Sequence, residues 1–89
     1  MRIIPIWKRF VDLSQLAKGA SAQVLGVQSR DADDAIAQRL LDLGFVFGER
    51  VKCVSLAPFG GDPILVQIGF TRFALRKMEA ARVQIEAAA

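Results

Sequence analysis

The sequence predicts a mainly β domain: a small antiparallel barrel of about five short strands, with one inserted α-helix and short helical turns. Three observations predict it. Apolar residues recur at every second position in short runs, as in Ile64, Val66 and Ile68, which is the period of a strand with one buried face. Turns rich in glycine and proline separate these runs, as in Phe47-Gly48 and Ala57-Pro-Phe-Gly-Gly-Asp-Pro63. A sustained helical period appears in one stretch, about 33–43, where Ile36, Leu40 and Leu43 recur on one face and Ala37 widens it.

Taken in order, residues 1–12 read as an N-terminal arm, in which apolar side chains mix with Arg2, Lys8 and Arg9 and Pro5 breaks any regular element. Ser14 is expected to cap a single helical turn that Gly19 ends. Residues 22–28 follow as a strand, with Gly26 marking a bulge or bend. Asp31 or Asp33 is expected to cap the helix, and Gly44 stands where a helix end takes a positive φ, with Phe45 packing back. Strands are then expected at 50–56, 64–69, 71–75 and 82–86, with a helical turn at 76–80 before the last. The barrel domain spans 13–86, and 87–89 form a frayed tail. At this size a small SH3-like or Greek-key barrel fits the pattern, since closure limits exposed sheet edges.

Composition excludes several kinds of chemistry. The chain has 89 residues, 53% hydrophobic and 24% charged, so it can bury a core. It has no histidine, which removes Ser-His-Asp and Cys-His catalysis and every His-based metal site. Cys53 is the only cysteine, so neither a disulfide nor a Cys-rich zinc site can form; its mid-strand position reads as a small buried hydrophobe. The acidic cluster Asp31, Asp33 and Asp34 lacks the ligand spacing of a calcium loop. No enzyme, cofactor or metal site is therefore expected. The net charge of +3 permits an acidic partner, an anionic membrane surface or nucleic acid without requiring any. No apolar run approaches the roughly 20 residues of a membrane span. The start lacks a signal peptide's apolar length and cleavage site, so the expected location is cytosolic, with no direct membrane insertion.

The loop 57–63 is the most specific local feature. Prolines stand near both ends, two glycines open conformations closed to other residues, and Asp62 can bond nearby amides. It is not a phosphate loop, because neither a lysine nor a helix follows it. Around it lies an ordered set: Leu13-Ser-Gln-Leu-Ala-Lys-Gly19, Ala22-x-Val24, Arg39-Leu-Leu-Asp-Leu-Gly-Phe45, Gly48-x-x-Val51, the loop itself with Ile64, then Phe73-Ala-Leu-Arg76 with Glu79-Ala80. From Leu13 to Glu86 this set resembles the FeoA family, which also occurs as a domain at the end of iron-dependent repressors. The resemblance implies an SH3-like barrel with an inserted helix. It implies an accessory role in ferrous-iron uptake, as the cytoplasmic partner of FeoB, the GTP-binding Fe²⁺ permease, and hence a place peripheral to the inner membrane. At family level it also carries transition-metal binding, but these residues offer no iron cage. The family commonly has proline where this chain has Phe47.

The expected site is therefore a surface. If Val51 and Cys53 point inward, Val54 and Leu56 leave an apolar face with Leu25, unless a bulge reverses them. That face, with Phe59, Gly60, Gly61, Asp62 and Pro63 of the loop and Arg76 of the Phe73-Ala-Leu-Arg76 motif, is the candidate partner-binding set. Self-association is open to it through the apolar face, an edge strand and the arm. The competing reading is a nucleic-acid-binding barrel, with Arg72, Arg76, Lys77 and Arg82 as a basic strip near Phe70 and Phe73. The modest charge, the absence of tyrosine and the core-like phenylalanines weigh against it, so no nucleic-acid partner is expected.

Overall fold

Five antiparallel strands form one sheet in a computed structural model that describes residues 11–58 and 60–87. The strands are β1 (Ser21–Val27), β2 (Arg50–Leu56), β3 (Ile64–Ile68), β4 (Thr71–Leu75) and β5 (Val83–Ala87), ordered β4-β3-β2-β1-β5. β2–β3 and β3–β4 are hairpins, β1 pairs with β2 across a longer connection, and β5 returns to pair with β1. A nine-residue helix, α1 (Ala35–Leu43), is inserted between β1 and β2, and one turn, α2 (Lys77–Ala80), links β4 to β5. A 3-10 turn, Leu13–Gln15, precedes β1. Of the expected arm, only Val11 and Asp12 fall within the described residues: the Val11 carbonyl accepts from Ile85 N–H, and Asp12 bridges Gln84. Ala87, expected in the tail, belongs to β5.

The expected alternation places the core. Ala22 and Val24, Val51 and Cys53, Ile64 and Val66, Leu75, and Val83 and Ile85 are buried, one or two from every strand. Leu40 of α1 and Leu13 of the 3-10 turn meet them from outside the sheet. Phe45 follows Gly44, whose φ of 109° ends α1 in the left-handed region. Its ring packs against Phe73 with centroids 6.0 Å apart. Full burial of side chains of this size stabilises by roughly 1.5–3 kcal/mol each.

Two bulges decide which side chains reach the surface. In β1, Val24 lies opposite Ile85 and Gly26 opposite Gln84, so Leu25 is the extra residue, beside the glycine that signalled it. In β2, Cys53 lies opposite Val66 and Ser55 opposite Leu65, so Val54 is extra. Past that bulge Leu56 shares the face of Ile64, its partner. The bulge thus reverses Leu56, and the single outer face expected for Leu25, Val54 and Leu56 does not form.

The caps also differ from expectation. Asp34 caps α1, accepting from Ala37 N–H at 3.1 Å, while Asp31 accepts from Asp33 N–H within the preceding turn. Asp12 caps the 3-10 turn in place of Ser14, whose hydroxyl and N–H both donate to it. Gly19 lies beyond that turn, with φ 84°, and donates to Cys53 C=O.

Asp34 has a second partner, the guanidinium of Arg82, in an ion pair with both side chains buried. Arg82 precedes β5, so the pair ties the start of α1 to the β1–β5 side of the sheet. The Arg82 guanidinium, with the N–H groups of Arg30 and Ala37, holds the Asp34 carboxyl well below the usual carboxylate range. A lowered pKa means that the unfolded chain takes up the proton first as pH falls. The pair therefore stabilises fully above the ordinary carboxylate range, and that stability drains away as pH drops towards the folded-state value. Asp34→Asn leaves Arg82 buried and unpaired. It should lower the thermal midpoint several-fold more than Arg39→Gln, which breaks the exposed Arg39–Glu79 pair at a cost of about 0.5 kcal/mol. The Asn variant should also lose the acid-side slope of stability between about pH 5 and pH 3, read from midpoints across pH.

Candidate functional site

The loop between β2 and β3 closes on itself. Ala57 N–H donates to Pro63 C=O and Gly61 N–H to Ala57 C=O, while Gly60 and Gly61 take φ of 79° and 69°. Side chains rarely tolerate that backbone, and Gly61 packs beside Leu56, where a Cβ would make ordinary contact 3.8 Å from Leu56 Cβ. Asp62 reaches across to α2, its Oδ1 accepting from Lys77 N–H at 3.0 Å. The Asp62–Pro63 peptide is cis. At the N-cap of α2, Arg76 N–H donates to Glu79 Oε1 at 2.9 Å. The loop is thus held over the start of α2 by a side chain, not left as a free hairpin tip.

Between this loop and the 3-10 turn lies a shallow groove of about 470 Å³. Leu16, Ala17, Leu56, Gly60 and Gly61 line it together with the polar Ser14 and Gln15, and Lys77 supplies a cation. Leu56 is 44% exposed there, because the β2 bulge turned it onto the inner face at the open end of the barrel. The groove offers a mixed apolar and polar surface, open backbone and one positive charge. That suits a short apolar segment with a nearby acidic group.

The structure brings together part of the expected set. Leu56, Gly60 and Gly61 line the groove, Asp62 anchors its wall, and the exposed Pro63 and Arg76 flank that anchor. Phe59 lies outside the described residues. Leu25 is separate: Gly48 N–H donates to Val24 C=O beside it, whereas Val54 follows Cys53, whose C=O accepts from Gly19 N–H. By the β1–β2 register these are opposite ends of the ladder, roughly 20 Å apart at about 3.3 Å per residue. Val54 is half-buried at its bulge. Leu16, Ala17 and Lys77 were not expected in the site. Leu16 and Ala17 lie in Leu13-Ser-Gln-Leu-Ala-Lys-Gly19, a stretch read as a capped turn and as part of the family resemblance, and Lys77 follows Arg76 of the expected set.

The competing basic strip does not form. Arg82 is buried against Asp34, Phe73 packs on Phe45, and Arg76 lies at the opposite end of β4 from Phe70. Cys53 is fully buried, and burial pushes its thiol up. Among the described residues, no three of His, Cys, Asp or Glu cluster closely enough to hold a metal ion.

Fold and site together define a small SH3-like barrel with a shallow groove at one end. A profile described as the FeoA domain matches residues 11–87. A FeoA from Stenotrophomonas maltophilia, solved in complex with zinc and described as an SH3 domain protein, superposes with a TM-score of 0.78 at 56% identity, over 84% of this chain and 88% of that one. Iron(II) transport protein A from Clostridium thermocellum superposes at 0.76 with 33% identity, over 88% of this chain and 46% of that one. A curated protein of Porphyromonas gingivalis, a fusion of Fe(2+) transport protein A with the Fe(2+) transporter FeoB, is 32% identical over 74 residues. Those residues are 83% of this chain, which spans only 8% of the fusion protein's length. The chain belongs to the FeoA family.

Two outcomes follow from the site geometry. Asp62→Ala removes the tie to Lys77 and should cost about 1 kcal/mol in denaturant unfolding, with weaker hydrogen-exchange protection of Lys77 N–H. Cys53 should resist thiol reagents at pH 8 in the native protein and react at once in denaturant, because access requires opening of the core.

Proposed function

We propose that this chain is an accessory module of ferrous-iron uptake that binds a FeoB-type GTP-binding Fe²⁺ permease and modulates it through protein–protein contact. The observation that carries the reading is the fusion relative, in which a segment 32% identical to this chain is covalently joined to FeoB. Evolutionary fusion of two chains supports a shared task and close placement. On this reading the chain works at the cytoplasmic face, peripheral to the inner membrane through its partner. It holds no iron of its own and performs no catalysis. The described residues present a groove, a loop tied down by Asp62 and no clustered metal ligands.

The groove is the docking site in this proposal. Leu16, Ala17 and Leu56 take the apolar side of a permease segment, and Ser14, Gln15 and Lys77 take its polar and acidic groups. Leu56 is the residue to test, since it is half exposed and its replacement leaves the core intact. Leu56→Glu should weaken capture of the full-length permease by tenfold or more in a binding assay, with the thermal midpoint shifted by only a few degrees, and should reduce Fe²⁺ uptake under iron limitation. Wild-type capture by the folded variant would move the interface elsewhere. Unchanged uptake after deletion of the gene would remove the proposed function itself.

A further inference from the structure

The groove occupies one end of the barrel, and the other end carries the most exposed aromatic side chains among the described residues. Phe70 forms the tip of the β3–β4 hairpin and is fully exposed. The two-residue turn Gly69-Phe70 has φ 59° at Gly69, the position where a type II′ hairpin takes glycine, so Phe70 is held at the apex. Phe47, in the loop between α1 and β2, is 74% exposed, and Val46 beside it is also exposed. Val51 lies opposite Ile68, which sets Glu49 near Phe70, and a Cβ on Gly44 would stand 4.0 Å from Ile68 Cγ2. Both aromatic loops therefore emerge at the same end. The core behind them is already filled by Phe45 and Phe73.

Cations flank these tips. Arg50, Lys52 and Arg72 are exposed on the outer face of the sheet. Lys52 and Arg72 both lie opposite Gln67, one strand away on either side, so they stand roughly 10 Å apart. Arg50 is two residues from Lys52 on the same face and opens β2 beside the hairpin tip. Among the described residues the ion pairs are Arg39–Glu79 and Arg82–Asp34, which leaves these three charges unneutralised by pairing. The opposing charges at this end are Glu49 in the loop, exposed Asp42 in the last turn of α1 and exposed Asp31 and Asp33 in the turn after β1, none of them on the sheet face that carries Arg50, Lys52 and Arg72. Glu86 lies beyond Gln23 from Arg50.

We propose that this end of the barrel docks on a bilayer surface bearing anionic lipid headgroups. Phe70 and Phe47 enter the interfacial layer, and Arg50, Arg72 and Lys52 sit at the level of the phosphates. The shape favours lipid over a folded partner. A hairpin apex with a lone, fully exposed ring is convex, and a fluid interface accepts it without a matching pocket. The charge favours anionic lipid, since each cation near such a surface adds attraction. The contact is interfacial; no helix among the described residues is long and apolar enough to cross a membrane. Docking here leaves the groove pointing away from the bilayer. The inference does not rest on the FeoB reading and is tested without the permease.

The test is co-sedimentation of the full chain with vesicles of phosphatidylcholine containing about one-third phosphatidylglycerol, against pure phosphatidylcholine vesicles. The chain should bind the anionic vesicles, and binding should weaken as salt rises towards physiological strength. Phe70→Ser should weaken it about tenfold, and Arg50→Gln and Arg72→Gln roughly fivefold each, with thermal midpoints near that of the parent. Failure to bind, equal binding to neutral vesicles, or unchanged binding by the folded variants would overturn the proposal. So would a lipid-free dimer that Phe70→Ser dissociates in analytical ultracentrifugation, or an oligonucleotide that binds tighter than the vesicles and loses affinity with Arg72→Gln.

Discussion

The carboxylate of Asp34 accepts from the N–H groups of Arg30 and Ala37 while pairing with the buried guanidinium of Arg82, so the turn before α1, its first helical turn and the start of β5 meet at one side chain. A nine-residue helix is too short to persist alone in water. Its place on the sheet has to come from contacts at both ends. Asp34 supplies the first, and Gly44 with Phe45 supplies the second, beside Ile68 and Phe73. Between them Leu40 and Ala37 are buried. The pair is a costly way to fasten a helix, since both charges leave water and Arg82 Nε finds no hydrogen-bond partner among the described residues. The net gain from such a pair is small, but removal of one partner leaves the other charge buried and unpaired, which is strongly destabilising.

That fixed helix leaves the barrel with two unlike ends. At one, the β2–β3 loop, the 3-10 turn and α2 surround a groove with a mixed apolar and polar lining and one cation. At the other, the hairpin tip and the loop after α1 project aromatic rings beside exposed arginines. The β2 bulge shapes the first end by turning Leu56 inward. The positive φ of Gly69 and Gly44 shapes the second, by setting the hairpin tip and the exit from α1. The core needs neither surface, because every strand already contributes buried residues to it. Both surfaces are thus available to partners, and changes at one end leave the other standing.

Much of this was legible in the residues. The strands at 50–56 and 71–75 have the expected bounds, as the period-two pattern and flanking turns required. Gly26 announced the β1 bulge, and Gly44-Phe45 announced the end of α1 and its return to the core. The β2 bulge was not legible. Its extra residue is Val54, a β-branched side chain that suits a regular strand, so nothing local marked the break in alternation. Because the period of a strand is two, that one residue moved Leu56 to the other face and divided the expected docking surface. The caps failed for a different reason. Asp31, Asp33 and Asp34 are chemically alike, and Asp34 is the one that immediately precedes the helix and also meets Arg82. Within the groove, Leu56, Gly60 and Gly61 were expected, while Leu16, Ala17 and Lys77 joined through tertiary packing that no local pattern encodes.

Amide hydrogen exchange of the full chain, free and bound to a FeoB-type permease in a lipid bilayer, tests the central claim most directly. The claim is that partner recognition uses the grooved end. Binding should slow exchange in the 3-10 turn, at Leu56 to Gly61 and at the start of α2, beyond any change that protein-free bilayers produce. Protection confined to α1 or to the outer face of the sheet, with the groove exchanging as in the free chain, would contradict the account.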